Sequence, residues 1–138
     1  MLVDTNILIF AINEDSSKNK QAKEFLRDNQ EKLTVAHQNI IEAIKVLTQP
    51  KFSKPLKPIL AIEAVLSIID NCQIIVPKPG TEYIALELIK RSKLTGNRIF
   101  DAYLTATAIS NDIDTIATDN EKDFKRFLEI TVYNPFRE

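Results

Sequence analysis

Met1-Leu2-Val3-Asp4-Thr5-Asn6-Ile7-Leu8-Ile9-Phe10 opens the chain, and its reading decides the fold. Leu2-Val3 reads as a buried strand running straight into a short helical turn, with Asp4 at the junction. An acid there has an ordinary use, as a helix N-cap or in an Asx turn. Thr5 and Asn6 could cap equally well, so that use alone does not require an acid. Similar junctions recur downstream. Glu42 sits inside Ile40-Ile41-Glu42-Ala43-Ile44, Asp101 follows Ile99-Phe100, and Asp119 follows Thr115-Ile116-Ala117-Thr118, with Asp123 close behind. Acids at the ends of buried elements are costly to desolvate unless a cation meets them.

Working outward, strands alternate with helices. Asn19 to Asp28 reads as a polar helix with Ala22, Phe25 and Leu26 on one stripe. Leu33-Thr34-Val35-Ala36 reads as a strand and His37 to Thr48 as a helix whose core stripe is Ile40, Ile41, Ile44 and Leu47. Pro50, Pro55 and Pro58 bound a basic connection, and a third helix follows from Ile59 to Ile69. Gln73 to Val76 reads as a strand stopped by Pro77 and Pro79. Thr81 to about Lys93 and Ile99 to Ser110 read as helices, the second with a small-residue face at Ala102, Thr105, Ala106 and Ala108. Thr115 to Thr118 reads as a strand, Asp119 to Phe127 as a short turn, and Thr131-Val132-Tyr133 as an edge strand. This alternation predicts an α/β domain with a mainly parallel sheet, a small helical arm around the proline-bounded connection, and a single domain over residues 1–138. In such sheets ligands bind outside the carboxyl ends of the strands. Several acids converging there predict a divalent cation held by oxygen.

Composition narrows the classes. At 138 residues and 44% apolar content the chain can bury one proper core. Eighteen basic residues against nineteen acidic ones argue against a uniformly basic nucleic-acid-binding surface and leave room for a local patch. One cysteine, Cys72, allows no internal disulfide, which suits a reducing cytoplasm, with the thiol as a small core group. One histidine and one cysteine cannot build an ordinary zinc site. No apolar run approaches the length of a membrane span, and the start of the chain lacks a basic signal-peptide region. Two glycines, Gly80 and Gly96, exclude a P-loop and a dinucleotide fingerprint.

Each acid also has a plain reading. Asp4 and Asp101 are possible helix caps, Glu42 a solvated flank or a partner of Lys45, and the Asp119–Asp123 segment an acidic turn. The conjunction carries the weight, because acids at such junctions are spread over the whole chain.

These segments resemble a PIN domain, most closely a VapC-type toxin of a type II toxin–antitoxin pair. The resemblance rests on Val3-Asp4-Thr5-Asn6-Ile7-Leu8, Ile41-Glu42-Ala43, Phe100-Asp101-Ala102 with Ala106-Thr107-Ala108, and Ile116-Ala117-Thr118 with Asn120 and Asp123-Phe124. It implies a three-layer α/β/α domain with about five strands and metal-dependent cleavage of RNA. It makes Asp4 and Asp101 the chief ligands of Mg²⁺ or Mn²⁺, with Glu42 completing the acidic pocket. The fourth position falls among Asp119, Asn120 and Asp123. Thr5, Asn6, Thr118 and Asn120 would orient the carboxylates. It further implies attack by a metal-activated water, a cognate antitoxin meeting the arm from Pro50 to Ile69, and a homodimer.

An acidic pocket needs cations at its rim to draw in RNA. Candidates are Lys45, Lys51, Lys54, Lys57, Lys90, Arg91, Lys93 and above all Arg98, three residues before Asp101. Phe52, Tyr103 and Phe124 are candidates to stack a base. A phosphatase of the haloacid dehalogenase type would need an acid where the chain has Asn6. A Ser-His-Asp hydrolase would have to use His37 without a G-x-S-x-G motif. A non-catalytic module that binds RNA or protein, and an RNA-processing nuclease without an antitoxin, remain the alternatives.

Overall fold

A computed structural model describes residues 1–137. Five parallel strands form one sheet: β1 (Leu2–Val3), β2 (Thr34–Ala36), β3 (Gln73–Ile75), β4 (Thr115–Ala117) and β5 (Thr131–Tyr133), in the order β3-β2-β1-β4-β5. The helices are α1 (Thr5–Ile12), α2 (Asn19–Asn29), α3 (His37–Thr48), α4 (Pro58–Ile68), α5 (Thr81–Ser92), α6 (Arg98–Ser110) and the single turn α7 (Glu121–Phe124), with a 3₁₀ turn at Gln30–Lys32.

Successive strand residues face opposite sides of a sheet, and two cores follow from that period. Val3, Val35 and Ala117 point into the first core with Ile7, Leu8, Phe25, Ala43, Leu47 and Val65. Leu2, Ala36 and Ile116 point into the second with Leu88, Leu104, Phe124 and Phe127. Helices α1 to α4 therefore cover one face and α5 to α7 the other, giving three layers. The strand order reverses between β1 and β4, and ligand sites of open α/β sheets form at such reversals.

Three elements differ in detail from the sequence reading. The short turn after Asp4 is a helix of eight residues. It is apolar nearly all round because α2, α3 and α4 all pack on it. The buried stripe of α3 is Asn39, Ala43 and Leu47, while Ile41 is 67% exposed. Two positions past Asn39 is nearly the opposite side of a helix, so a face centred on 39-43-47 turns Ile41 outward. The proline-bounded arm is α4, which starts with Pro58 at its first helical position, where a missing N–H costs nothing. Ala61 and Val65 bury it against the first core, and its outer face exposes Ile59, Leu60 and Leu66.

The small-residue face of α6 is as expected: Ala102, Thr105, Ala106 and Ala108 are all buried. That face lets the helix lie close to the sheet and brings its first turn to the carboxyl ends of the strands. Ala106→Leu would overpack this contact. It is expected to destabilise the fold by about 1–3 kcal/mol, read as a lower urea midpoint with an unchanged slope.

Candidate active site

Four acids meet at the carboxyl end of the sheet. Asp4 follows β1 and caps α1: the Thr5 backbone N–H donates to its Oδ1 at 2.8 Å. Its Oδ2 accepts from the Thr118 hydroxyl at 2.7 Å and from the Asn6 amide at 3.3 Å. The cap reading and the site reading of Asp4 are thus both realised by one side chain. Thr118, fully buried after β4, also accepts from the Asn6 amide at 3.2 Å and from the Asn120 backbone N–H at 2.9 Å. The ends of β1 and β4 are thereby locked together around Asp4.

Glu42 enters from α3. Its Oε2 accepts from the Thr5 hydroxyl at 3.1 Å and its Oε1 from the Gln38 amide at 2.8 Å. Thr5 in turn accepts from the amide of Asn39, a fully buried side chain whose Oδ1 accepts the Ala36 backbone N–H. Asp101 lies in the first turn of α6, half-buried, rather than at its cap. No hydrogen bond to its carboxylate occurs among the described residues, although its backbone carbonyl accepts from Thr105. Asp123, on α7, pairs with Arg98 and accepts from the Asn120 amide.

The charges are felt mutually. Burial pushes Asp101 up to about 7, and Asp4, Asp123 and Glu42 push the same way, while Arg98 opposes them. Burial pushes Asp4 up to about 6 against the lowering effect of its Thr118 and Thr5 bonds, with Glu42 and Asp123 adding to the rise. Asp119 takes no part in either shift. It pairs with Lys18, whose ammonium also lies 5.3 Å from the ring centres of Phe10 and Phe136, and it accepts from Asn134 at 3.4 Å. Of the acids named after β4, the structure brings Asp123 to the cluster and turns Asp119 toward the C-terminal segment.

Asp4, Glu42 and Asp101 line a cleft of about 820 Å³. Its walls are largely apolar: Ile9, Phe10 and Ile41 on one side, Phe100 and Tyr103 on the other. Of the aromatics singled out from sequence, Tyr103 reaches the cleft, whereas Phe124 is core and Phe52 packs against the first core. Of the cations, Lys45 lines the cleft, Arg98 is paired with Asp123, Arg91 with Glu129 and Lys54 with Asp15. His37, exposed at the start of α3, also lines it, and among the described residues its side chain makes no hydrogen bond to a serine or an acid.

A model of the PIN domain matches residues 1–129. The chain belongs to the PIN-domain family. Solved structures with the same fold include a toxin–antitoxin complex from Klebsiella pneumoniae, 22% identical with a TM-score of 0.71 over 99% of this chain and 98% of that one. The VapBC2 complex from Rickettsia felis bound to a promoter DNA fragment is 21% identical with a TM-score of 0.72, covering 96% of both chains. VapC20 of Mycobacterium tuberculosis, a sarcin–ricin-loop-cleaving toxin, is 17% identical with a TM-score of 0.70, covering 94% of this chain and 97% of that one. No curated protein matches the sequence.

In this PIN domain the three acids facing the cleft, Asp4, Glu42 and Asp101, offer carboxylate oxygens, which suit a hard divalent cation. The unpartnered Asp101 carboxylate and the raised Asp4 and Asp101 are what such a cation would relieve. Among the described residues no three acidic, histidine or cysteine side chains already converge as a cage. Glu42 accepts one hydrogen bond at each oxygen, from Thr5 and Gln38, and keeps a lone pair on each for an ion, whereas Asp123 has to turn from Arg98 to ligate. Gln38 and Asn39 went unnoticed in the sequence. The available signal was a pair of polar amides placed just before Glu42 at the start of an otherwise apolar helix.

The raised Asp101 has a sign that can be measured. A carboxyl held at about 7 in the fold, against an ordinary value of 3.8, favours the folded state below that lower value. The advantage is lost as pH rises through 7. Asp101→Asn is therefore expected to match wild type near about pH 4 and to be the more stable protein at about pH 8 without divalent ions. Discounted for the screening of a half-exposed group, the gain is about 1–2 kcal/mol. Thermal melts across that range check it, and a wild type of unchanged relative stability would contradict it.

Proposed function

We propose that this PIN domain is a metal-dependent ribonuclease, the toxin of a toxin–antitoxin pair acting in the cytoplasm. The observation that carries the reading is the convergence of Asp4, Glu42, Asp101 and Asp123, from three helices and a strand end, into one mutually repelling cluster beside an open cleft. The family and its neighbours support it. The structural neighbours include toxin–antitoxin complexes, and one is a sarcin–ricin-loop-cleaving toxin.

Asp4 and Asp101 are assigned as the chief ligands of Mg²⁺ or Mn²⁺, with Glu42 and Asp123 completing the pocket. Bound there, the cation would polarise a phosphodiester and make water a better nucleophile at neutral pH. The chain's own contribution is to hold the acids. Thr5, Asn6 and Thr118 orient Asp4 and Glu42, and Asn120 orients Asp123. Around Asp4 and Glu42 these donors are neutral, so no paired side-chain cation competes with the ion there. Lys45 stands on the cleft wall where a phosphate backbone would run, and Arg98 reaches the same cluster from the start of α6. Phe100 and Tyr103 offer ring faces to an unpaired base. Asp119 is assigned to the fold, as the partner of Lys18, rather than to the chemistry.

The exposed apolar face of α4, with Ile59, Leu60 and Leu66, is the surface we assign to an antitoxin, and a homodimer is the proposed state of the free toxin. No described helix is long and apolar enough to cross a membrane.

The test is cleavage of a mixed RNA pool with Mg²⁺ or Mn²⁺. Asp4→Asn and Asp101→Asn are each expected to lose about a hundredfold or more of the activity, and Asp119→Asn less than about tenfold. Cutting that survives the first two substitutions, or that needs no divalent ion, contradicts the reading. Metal binding without cutting of any RNA points instead to a binding module.

A further inference from the structure

Helices α3 and α6 belong to opposite layers of the sandwich, and each brings one acid to the cleft. They share no extensive packing of their own. The spacing of Glu42 from Asp101 is therefore not set by a core between them. One side chain crosses the gap. The Gln38 amide nitrogen donates to Glu42 Oε1 at 2.8 Å, one turn along α3, and to the backbone carbonyl of Phe100 at 3.0 Å. Phe100 is the residue immediately before Asp101.

The orientation of that amide is fixed by chemistry. A carboxylate oxygen and a carbonyl oxygen only accept, so both must face the NH₂ end. The other end then has to be the oxygen, and Gln38 Oε1 is buried without a hydrogen-bond partner. A buried acceptor left without a donor is a cost that native structures seldom carry. Here the side chain is held in that position by its two donated bonds. Leucine or methionine would fill the same space at no such cost and would satisfy the fold.

We propose that Gln38 is a positioning residue that ties the two walls of the cleft. It fixes the Glu42 carboxylate with one amide proton and the first turn of α6 with the other. Through Glu42 and Asp101 it sets the span offered to the divalent cation. This inference rests on the metal-dependent reading of the site. It assigns Gln38 no contact with RNA, because its free oxygen is buried.

The experiment compares wild type, Gln38→Leu, Glu42→Gln and the double variant. Three quantities are read for each: Mn²⁺ affinity by calorimetry, kcat and KM on a cleaved RNA, and the melting temperature without metal. Gln38→Leu is expected to weaken Mn²⁺ binding and to lower kcat by about 10- to 100-fold, with KM for RNA within about twofold. In the Glu42→Gln background the same substitution is expected to change either quantity far less, since the tie then acts on an acid already removed. Gln38→Leu with unaltered Mn²⁺ affinity and kcat overturns the inference, whether or not the melting temperature moves. Equal losses in both backgrounds also overturn it. A wild type that binds no Mn²⁺ and cuts no RNA would instead sink the reading of the site, and the inference with it.

Discussion

Mutual repulsion among carboxylates at the end of a parallel sheet is the constraint on which the rest of this structure depends. Asp4 and Asp101 sit high because burial and their neighbours' charge both disfavour ionisation. A fold that accepts this must fix the acids by other means. It does so mainly with neutral donors around Asp4 and Glu42: a backbone N–H, two hydroxyls and two side-chain amides. Neutral donors orient a carboxylate without cancelling its charge, so the cluster stays available to a cation. The contrast with Asp119 is instructive. It stands one residue after Thr118, yet the Lys18 ammonium neutralises it and it leaves the two high-lying acids unaffected.

The fold explains why the acids meet. Between β1 and β4 the strand order reverses, so the crossovers on either side leave to opposite faces. The loops part there and open a cleft. Asp4 and Thr118 lie at the two strand ends flanking the reversal, and their hydrogen bond closes the floor. Glu42 comes in from one layer and Asp101 from the other. The small residues of α6 allow its helix to approach closely enough for Asp101 to arrive. Core packing and site geometry are thus one design, with Ala102 and Ala106 serving both.

Much of this was legible in the sequence. Strand–helix alternation gave the parallel sheet, and an acid at the end of Leu2-Val3 marked the ligand side. The small face of α6 was visible as Ala102, Thr105, Ala106 and Ala108. The orientation of α3 was legible in part: Ile40, Ile44 and Leu47 do pack on the first core, but Ile41 faces out and Asn39 takes a buried place that no apolar count would give it. A buried Asn that satisfies a backbone N–H and a threonine hydroxyl looks polar in sequence and behaves as core. The choice between Asp119 and Asp123 was equally hidden. It depends on Lys18 and Asn134, distant in sequence, taking Asp119, and on Arg98 taking Asp123. Gln38 stands one helical turn before Glu42, a spacing the sequence shows, but its contact across the cleft is to a backbone carbonyl and has no sequence signature.

The central claim is that this repelling cluster is a cation site. A crystal of the protein grown with Mn²⁺, with anomalous scattering recorded for manganese, tests it most directly. The account predicts a peak between the carboxylates of Asp4 and Asp101, with Glu42 or Asp123 turned toward it. A peak only beside Asp119, or none at any of the four acids, would contradict it.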